Sequence, residues 1–166
     1  MSEITANLVK QLREKTGVGM MDCKTALKEN NGDIEASIDW LRTKGIAKAS
    51  KKEGRITSEG LISLILDEEF AAIVEINSET DFVSRNEDFQ NVVREVATLA
   101  LSCSSDIDKL SASEYPGKGH SVEAEITQLV ATIGENIYVR RATALSVDTG
   151  VVGSYVHSAA APGLGR

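Results

Sequence analysis

The amino-acid sequence predicts an α+β protein, with a three-helix module in front of an antiparallel three-stranded sheet layered by helices. Three observations predict it. Apolar residues recur at helical spacing between glycine turns over the first fifty or so residues. Two short aliphatic runs separated by acidic residues then read as a hairpin, followed by two amphipathic stretches and one more alternating run. Charge also changes sign along the chain: residues 1–55 hold eleven Lys/Arg against eight Asp/Glu, and residues 56–166 hold seven against seventeen. That seam divides the chain into 1–54, a helical module with a basic linker; 55–148, a first core subdomain; and 149–166, the start of a second.

In the module, Ile4, Leu8 and Leu12 recur every four positions with Val9 beside them, forming the stripe of an amphipathic helix. Thr16-Gly17-Val18-Gly19 stops it, and Met20 to Glu29 forms a second helix through Met21, Cys23, Ala26 and Leu27. Asn30-Asn31-Gly32 closes that helix, and Asp33 caps a third bearing Ile34, Ile38 and Leu41. Three short helices with glycine turns resemble a ubiquitin-associated-type fold. A module this small cannot bury all its apolar surface, so one face is free for a partner. Met20 and Met21 sit at the mouth of the first turn, as core filler or as an adaptable contact, and the residue pattern favours core. Lys44 to Arg55 is basic and rich in small residues, as linkers are.

In the core, Gly60 to Leu66 and Ala71 to Ile76 are the hairpin strands, with Asp67-Glu68-Glu69-Phe70 as an acidic turn. Asn86 caps a long helix whose inward residues are Phe89, Val93, Val96, Ala100 and Cys103. Ser102 to Ser121 is serine-rich, contains Pro116, Gly117 and Gly119, and reads as loop. Ser121 caps a second helix through Ile126, Leu129, Val130 and Ile133, which ends near Gly134. Ile137 to Val147 alternates as a third strand. Helices then bury one face of the sheet, and the turn carrying Phe82 leaves at its edge.

Composition narrows the classes of function. Aromatics are 4% of the chain, so the core is aliphatic, and no apolar run approaches the roughly 18 residues of a membrane span. Met1 to Lys10 carries Glu3 and lacks the pattern of a signal peptide, so a cytoplasmic protein is expected. Cys23 and Cys103 fit neither a zinc spacing nor a disulfide framework and read as buried thiols. The basic stretch before Arg55 has no aromatics to stack bases, and the larger part of the chain is acidic, so direct nucleic-acid binding is disfavoured. No G-x-x-x-x-G-K-[ST] loop is present, so the chain is not expected to bind a nucleotide, and no cofactor is expected. Glu75, Glu79 and Asp81 could be imagined as metal ligands, but strand alternation puts Glu75 and Glu79 on one face too widely spaced for one ion, so solvated charge is the favoured reading. His120 and His157 are the only histidines; His120, in a Gly/Ser loop, reads as a surface residue, so an enzyme reading lacks a constellation.

One stretch stands out. Phe82 and Val83 form an apolar pair inside the otherwise polar stretch from Ile76 to Phe89, between a strand-like and a helix-like run. Such a tip either tucks into its own core or is offered to something else, and the residues alone favour tucking. Yet Thr80-Asp81-Phe82-Val83 resembles a signature of the bacterial elongation factor Ts family. So do Thr16-Gly17-Val18-Gly19-Met20-Met21-Asp22-Cys23-Lys24, Ile133-Gly134-Glu135-Asn136 and Gly153-Ser154-Tyr155-Val156-His157, in that family's order. The resemblance runs from Ile4 to about His157.

The resemblance implies a guanine-nucleotide exchange factor for the translational GTPase elongation factor Tu, acting without covalent chemistry. It implies that Asp81 and Phe82, with Thr80 and Val83, enter the partner's GTPase domain and displace its Mg²⁺. Met20 or Met21, Lys24, Ile133, Gly134 and His157 are implied as further partner contacts. For Ile133 and Gly134 the residues alone suggest a last core position and a helix C-cap, which is compatible with contact if Gly134 permits close approach. Arg140 and Arg141, neighbours on a strand, are expected on opposite faces. Val151 to His157 is expected to be the first strand of a second subdomain whose remainder is missing, making the chain an N-terminal fragment with a frayed tail. A protein-binding module without exchange activity is the alternative reading.

Overall fold

The computed structural model describes residues 4–67, 69–103 and 105–166. The chain runs α1 (Ala6–Thr16), α2 (Met20–Glu29), α3 (Ile34–Ser50), β1 (Glu59–Asp67), β2 (Phe70–Ser78), a 3-10 turn (Val83–Arg85), α4 (Glu87–Ala100), α5 (Ile107–Ala112), α6 (Val122–Ile133), β3 (Ile137–Ser146) and β4 (Leu164–Gly165). It is a mixed helix-and-sheet fold, three helices followed by an antiparallel sheet with helices layered on it.

Capping explains most helix boundaries. Side-chain oxygens of Thr5, Asp33, Asn86 and Ser121 accept from the backbone N–H three residues on, satisfying donors that the first turn leaves open. The apolar stripes pack into two clusters. Val9, Leu12, Cys23, Ala26, Leu27 and Leu41 close the three-helix module. The larger cluster sets Phe89, Val93 and Val96 of α4 and Leu129 and Val130 of α6 against Leu61, Val74 and Ile76 of the sheet.

The basic stretch expected as a linker is helical as far as Ser50, so α3 leaves its own module and lies on α6. Alanine and lysine are good helix formers, and Ala49 packs against the larger cluster. At the crossing a Cβ on Gly45 would lie 3.3 Å from the Cβ of Ala131, so a small residue allows the close approach.

The segment 102–121, expected as loop, contains α5. Asp106 caps it by accepting from the Lys109 N–H at 2.9 Å, and its own Leu110 is fully buried in the larger cluster. Ser104 of that segment, Glu68 of the expected acidic turn and Met1–Glu3 lie outside the described residues. The hairpin pairs Glu59 with Ser78 through to Asp67 with Phe70.

The sheet has four strands in the order β3-β2-β1-β4, not three. The fourth comes from the tail, where Leu164 pairs with Ser63, Gly165 pairs with Ile62, and Leu164 is 0% exposed. The expected strand over Val151 to His157 is absent from the sheet. The apolar residue that fits beside β1 is Leu164, delivered by the turn at Pro162 and Gly163, whereas Val151 stays in solvent. The Phe82 turn leaves the end of β2, an inner strand, rather than the sheet edge. A bulge opposite Glu75 and Ile76 places Arg140 out of register, so both Arg140 and Arg141 reach Glu75, at 3.6 and 2.5 Å, instead of pointing to opposite faces.

Candidate partner-binding site

Phe82 is 74% exposed, and its neighbour Val83 is 3% exposed. The backbone that separates them is a single 3-10 turn. Ser84 N–H donates to Asp81 O at 3.2 Å, Arg85 N–H to Phe82 O at 3.2 Å, and Asn86 N–H to Val83 O at 2.9 Å. Val83 drops into the larger cluster, and Phe82 is left on the outside of the turn. Ser84 is buried beneath them; its hydroxyl donates to Asp81 O at 2.6 Å, and its carbonyl accepts from Gln90 Nε2 at 2.8 Å. The tucked and the offered readings of the tip each hold for one residue of the pair.

The approach to this turn is held by the turn after α6, 55 residues on. The Glu135 carboxylate accepts from both Thr80 N–H (2.9 Å) and Thr80 Oγ1 (2.6 Å). In return, Glu79 Oε1 accepts from Asn136 N–H at 2.6 Å and lies 3.5 Å from Arg55 Nη1. Asn136 Nδ2 donates to Arg55 O at 2.9 Å, and Lys52 Nζ donates to Gly134 O. Charge-assisted bonds of this kind are about twice as strong as neutral ones. The segments Thr80 to Val83 and Ile133 to Asn136, two separate motifs in the sequence, are thus clamped side by side.

Gly134 ends α6 with φ +88°, its N–H bonded to Val130 O at 2.9 Å. A β-carbon there would touch nothing within 4 Å, so its backbone faces open space. Both the capping role and close approach by another chain fit this geometry. Ile133 is half-buried against the larger cluster.

Met20 and Met21 are 57% and 76% exposed and lie outside the module's core, contrary to the reading from residue pattern. Cys23 fills the core instead, and burial pushes its thiol above the ordinary range. Lys24 is exposed on the same helix. α3 and the turn after it join this helix to the Phe82 surface: Lys48 of α3 pairs with Asp22 of α2 at 2.8 Å, and Lys52, just beyond the end of α3, reaches Gly134. His157 is exposed, with its Nδ1 3.1 Å from the Tyr155 hydroxyl, so its partner lies in the tail rather than on the clamped surface.

His120 is less exposed than its Gly/Ser loop suggests. Its Nε2 lies 2.6 Å from Glu125, and its ring stacks on Tyr115. Glu75 and Glu79, weighed as solvated carboxylates, are engaged by the two arginines of β3 and by Asn136 and Arg55. Among the described residues no helix is long and apolar enough to cross a membrane. Sequence reasoning missed Lys52, Arg55, Glu79 and Glu135 as parts of this surface. The one available signal was Glu135 and Asn136, which lie inside a motif already noted for Ile133 and Gly134.

Comparison with known proteins gives a consistent result. A family model described as Elongation factor TS matches residues 79–164. Three curated relatives, each described as Elongation factor Ts, align over the whole chain. The one from Parvibaculum lavamentivorans is 60% identical, that from Rhodospirillum centenum 55%, and that from Rhizobium etli 57%. The chain spans about half the length of these relatives, 54% of each.

Proposed function

Because the chain belongs to the elongation factor Ts family, we propose that it promotes GDP release from elongation factor Tu by inserting the Asp81-Phe82 tip. The observation that carries this reading is the exposure of Phe82 on a turn otherwise fixed by hydrogen bonds. An aromatic ring held in water gains by burial in another protein, roughly 1.5–3 kcal/mol by area.

The logic is linkage. If the chain binds the nucleotide-free GTPase more tightly than the GDP-bound form, GDP affinity falls by the same factor. At the top of its range Phe82 supplies about a hundredfold of that coupling. Asp81 acts as a polar anchor beside the ring, and entry of the tip displaces the partner's Mg²⁺. Thr80 and Val83 set the tip, Val83 from within this chain's own core. Ile133 and Gly134 form the floor of the same contact, and Met20 or Met21, Lys24 and His157 extend it. The nucleotide is the partner's, no covalent step is involved, and the setting is the cytoplasm.

The test is GDP release from elongation factor Tu at rising concentrations of the chain. The expected result is a rate that rises and saturates. Saturable binding with no acceleration would favour the alternative, a binding module without exchange activity.

A further inference from the structure

Phe82 is largely exposed, so burial in its own chain does not fix where it points. What fixes the approach to it is polar. Glu135 closes both donors of Thr80, two residues before the ring, with a single carboxylate. Glu79 and Asn136 form a second, crossed bond between the same two segments. We propose that Glu135 is a positioning residue, which holds the Asp81-Phe82 tip in register with the Ile133-Gly134 turn so that the two meet a partner as one rigid surface. This rests on Phe82 being the contact proposed above. The physical gain is preorganisation: a tip already ordered in the free chain spends none of the partner's binding energy on ordering.

Chemistry makes the carboxylate specific. Two acceptor oxygens face two donors, the Thr80 N–H and hydroxyl, at 2.9 and 2.6 Å. A glutamine keeps the length and can still accept from the Thr80 N–H, but its NH₂ must donate to the hydroxyl oxygen, so two charge-assisted bonds give way to two neutral ones. An aspartate keeps both acceptors but is one methylene shorter.

The experiment compares the unsubstituted chain with Glu135→Gln, Glu135→Ala and Glu135→Asp. Amide hydrogen exchange of the free chain is the first readout. The alanine variant is expected to expose residues 79–86 to faster exchange while α4 and α6 keep their protection, and the glutamine variant to do so to a lesser degree. The second readout is stimulated GDP release. For the alanine variant the concentration for half-maximal stimulation should rise roughly tenfold, which is 1.4 kcal/mol, with the rate at saturation retained and the glutamine and aspartate variants in between.

Unchanged exchange of residues 79–86 in Glu135→Ala would overturn the proposal. So would a looser loop with an unchanged half-maximal concentration, since the clamp would then position nothing that matters. Loss of protection throughout α4 and α6 would show general destabilisation and also overturn it. If the unsubstituted chain fails to stimulate release, the exchange function fails, and the role of Glu135 is decided by the loop's hydrogen exchange alone.

Discussion

Phe82 and Val83 are adjacent in sequence and opposite in environment, and their substitutions should separate function from stability. Phe82→Ala removes a ring that is 74% exposed, so stability should change by roughly 0.5 kcal/mol or less. Stimulation of GDP release should fall sharply. Val83→Ala removes two buried methyl groups and should cost roughly 1.5–3 kcal/mol. Urea denaturation of the two variants, set beside their exchange rates, checks both. A large loss of stability in Phe82→Ala with full exchange would refute the contact role.

Tyrosines give a second prediction at this scale. Burial, reinforced by Glu125 and Glu95, pushes the Tyr115 phenol up to about 12, while a hydrogen bond with Thr57 draws Tyr138 below the ordinary value. A spectrophotometric titration should therefore show Tyr138 ionising before Tyr115. Because the folded pKa of Tyr115 is raised, the stability tied to its neutral form is complete below the unfolded value near 10. It is lost as pH rises through about 12. Tyr115→Phe should flatten that alkaline loss, and an unchanged alkaline profile would contradict the assignment.

Among the elements, β4 is two residues long and depends on one side chain. Leu164 is fully buried beside β1, Leu64 N–H bonds to Gly163 O at 3.1 Å, and Arg166 Nη2 reaches the Ser84 hydroxyl at 3.2 Å. Leu164→Ala should cost roughly 2–5 kcal/mol, and the β1 amides facing it should exchange faster. An unchanged denaturation midpoint would mean that the tail frays in solution. α3 poses the complementary case. It was legible as a helix from Asp33 onward, but its continuation through the lysines was not, because a basic, small-residue segment suits a helix and a tether equally well. Only contact with α6 at Gly45 and Ala131 makes the difference. α5 was hidden for a similar reason: six residues are too few to show a period, and the serines around them read as loop.

At the scale of the molecule, the buried residues of each apolar cluster come from one stretch of chain, and α3, with Ala49 packed against the larger cluster, is the bridge between them. We therefore expect residues 53–166 alone to fold, weakened by loss of Ala49 and of the Lys52 bond to Gly134. Their affinity for elongation factor Tu should be lower than that of the full chain. Circular dichroism and a binding titration check this, and an unfolded 53–166 segment would show that the two clusters are one cooperative unit.

The sequence by itself determined the fold class, most of the helix caps, the inward faces of α4 and α6, and the family. These are properties of local pattern: period, capping chemistry and short motifs are written within a few residues of where they act. Tertiary structure alone decided that Phe82 faces out while Val83 faces in, and that Glu135 grips Thr80 across 55 positions. It also decided that the tail's Leu164 completes the sheet. Each of these depends on which distant segment arrives beside a residue. No local pattern records that arrival, because a glutamate or a leucine is compatible with many partners until packing of the whole chain selects one.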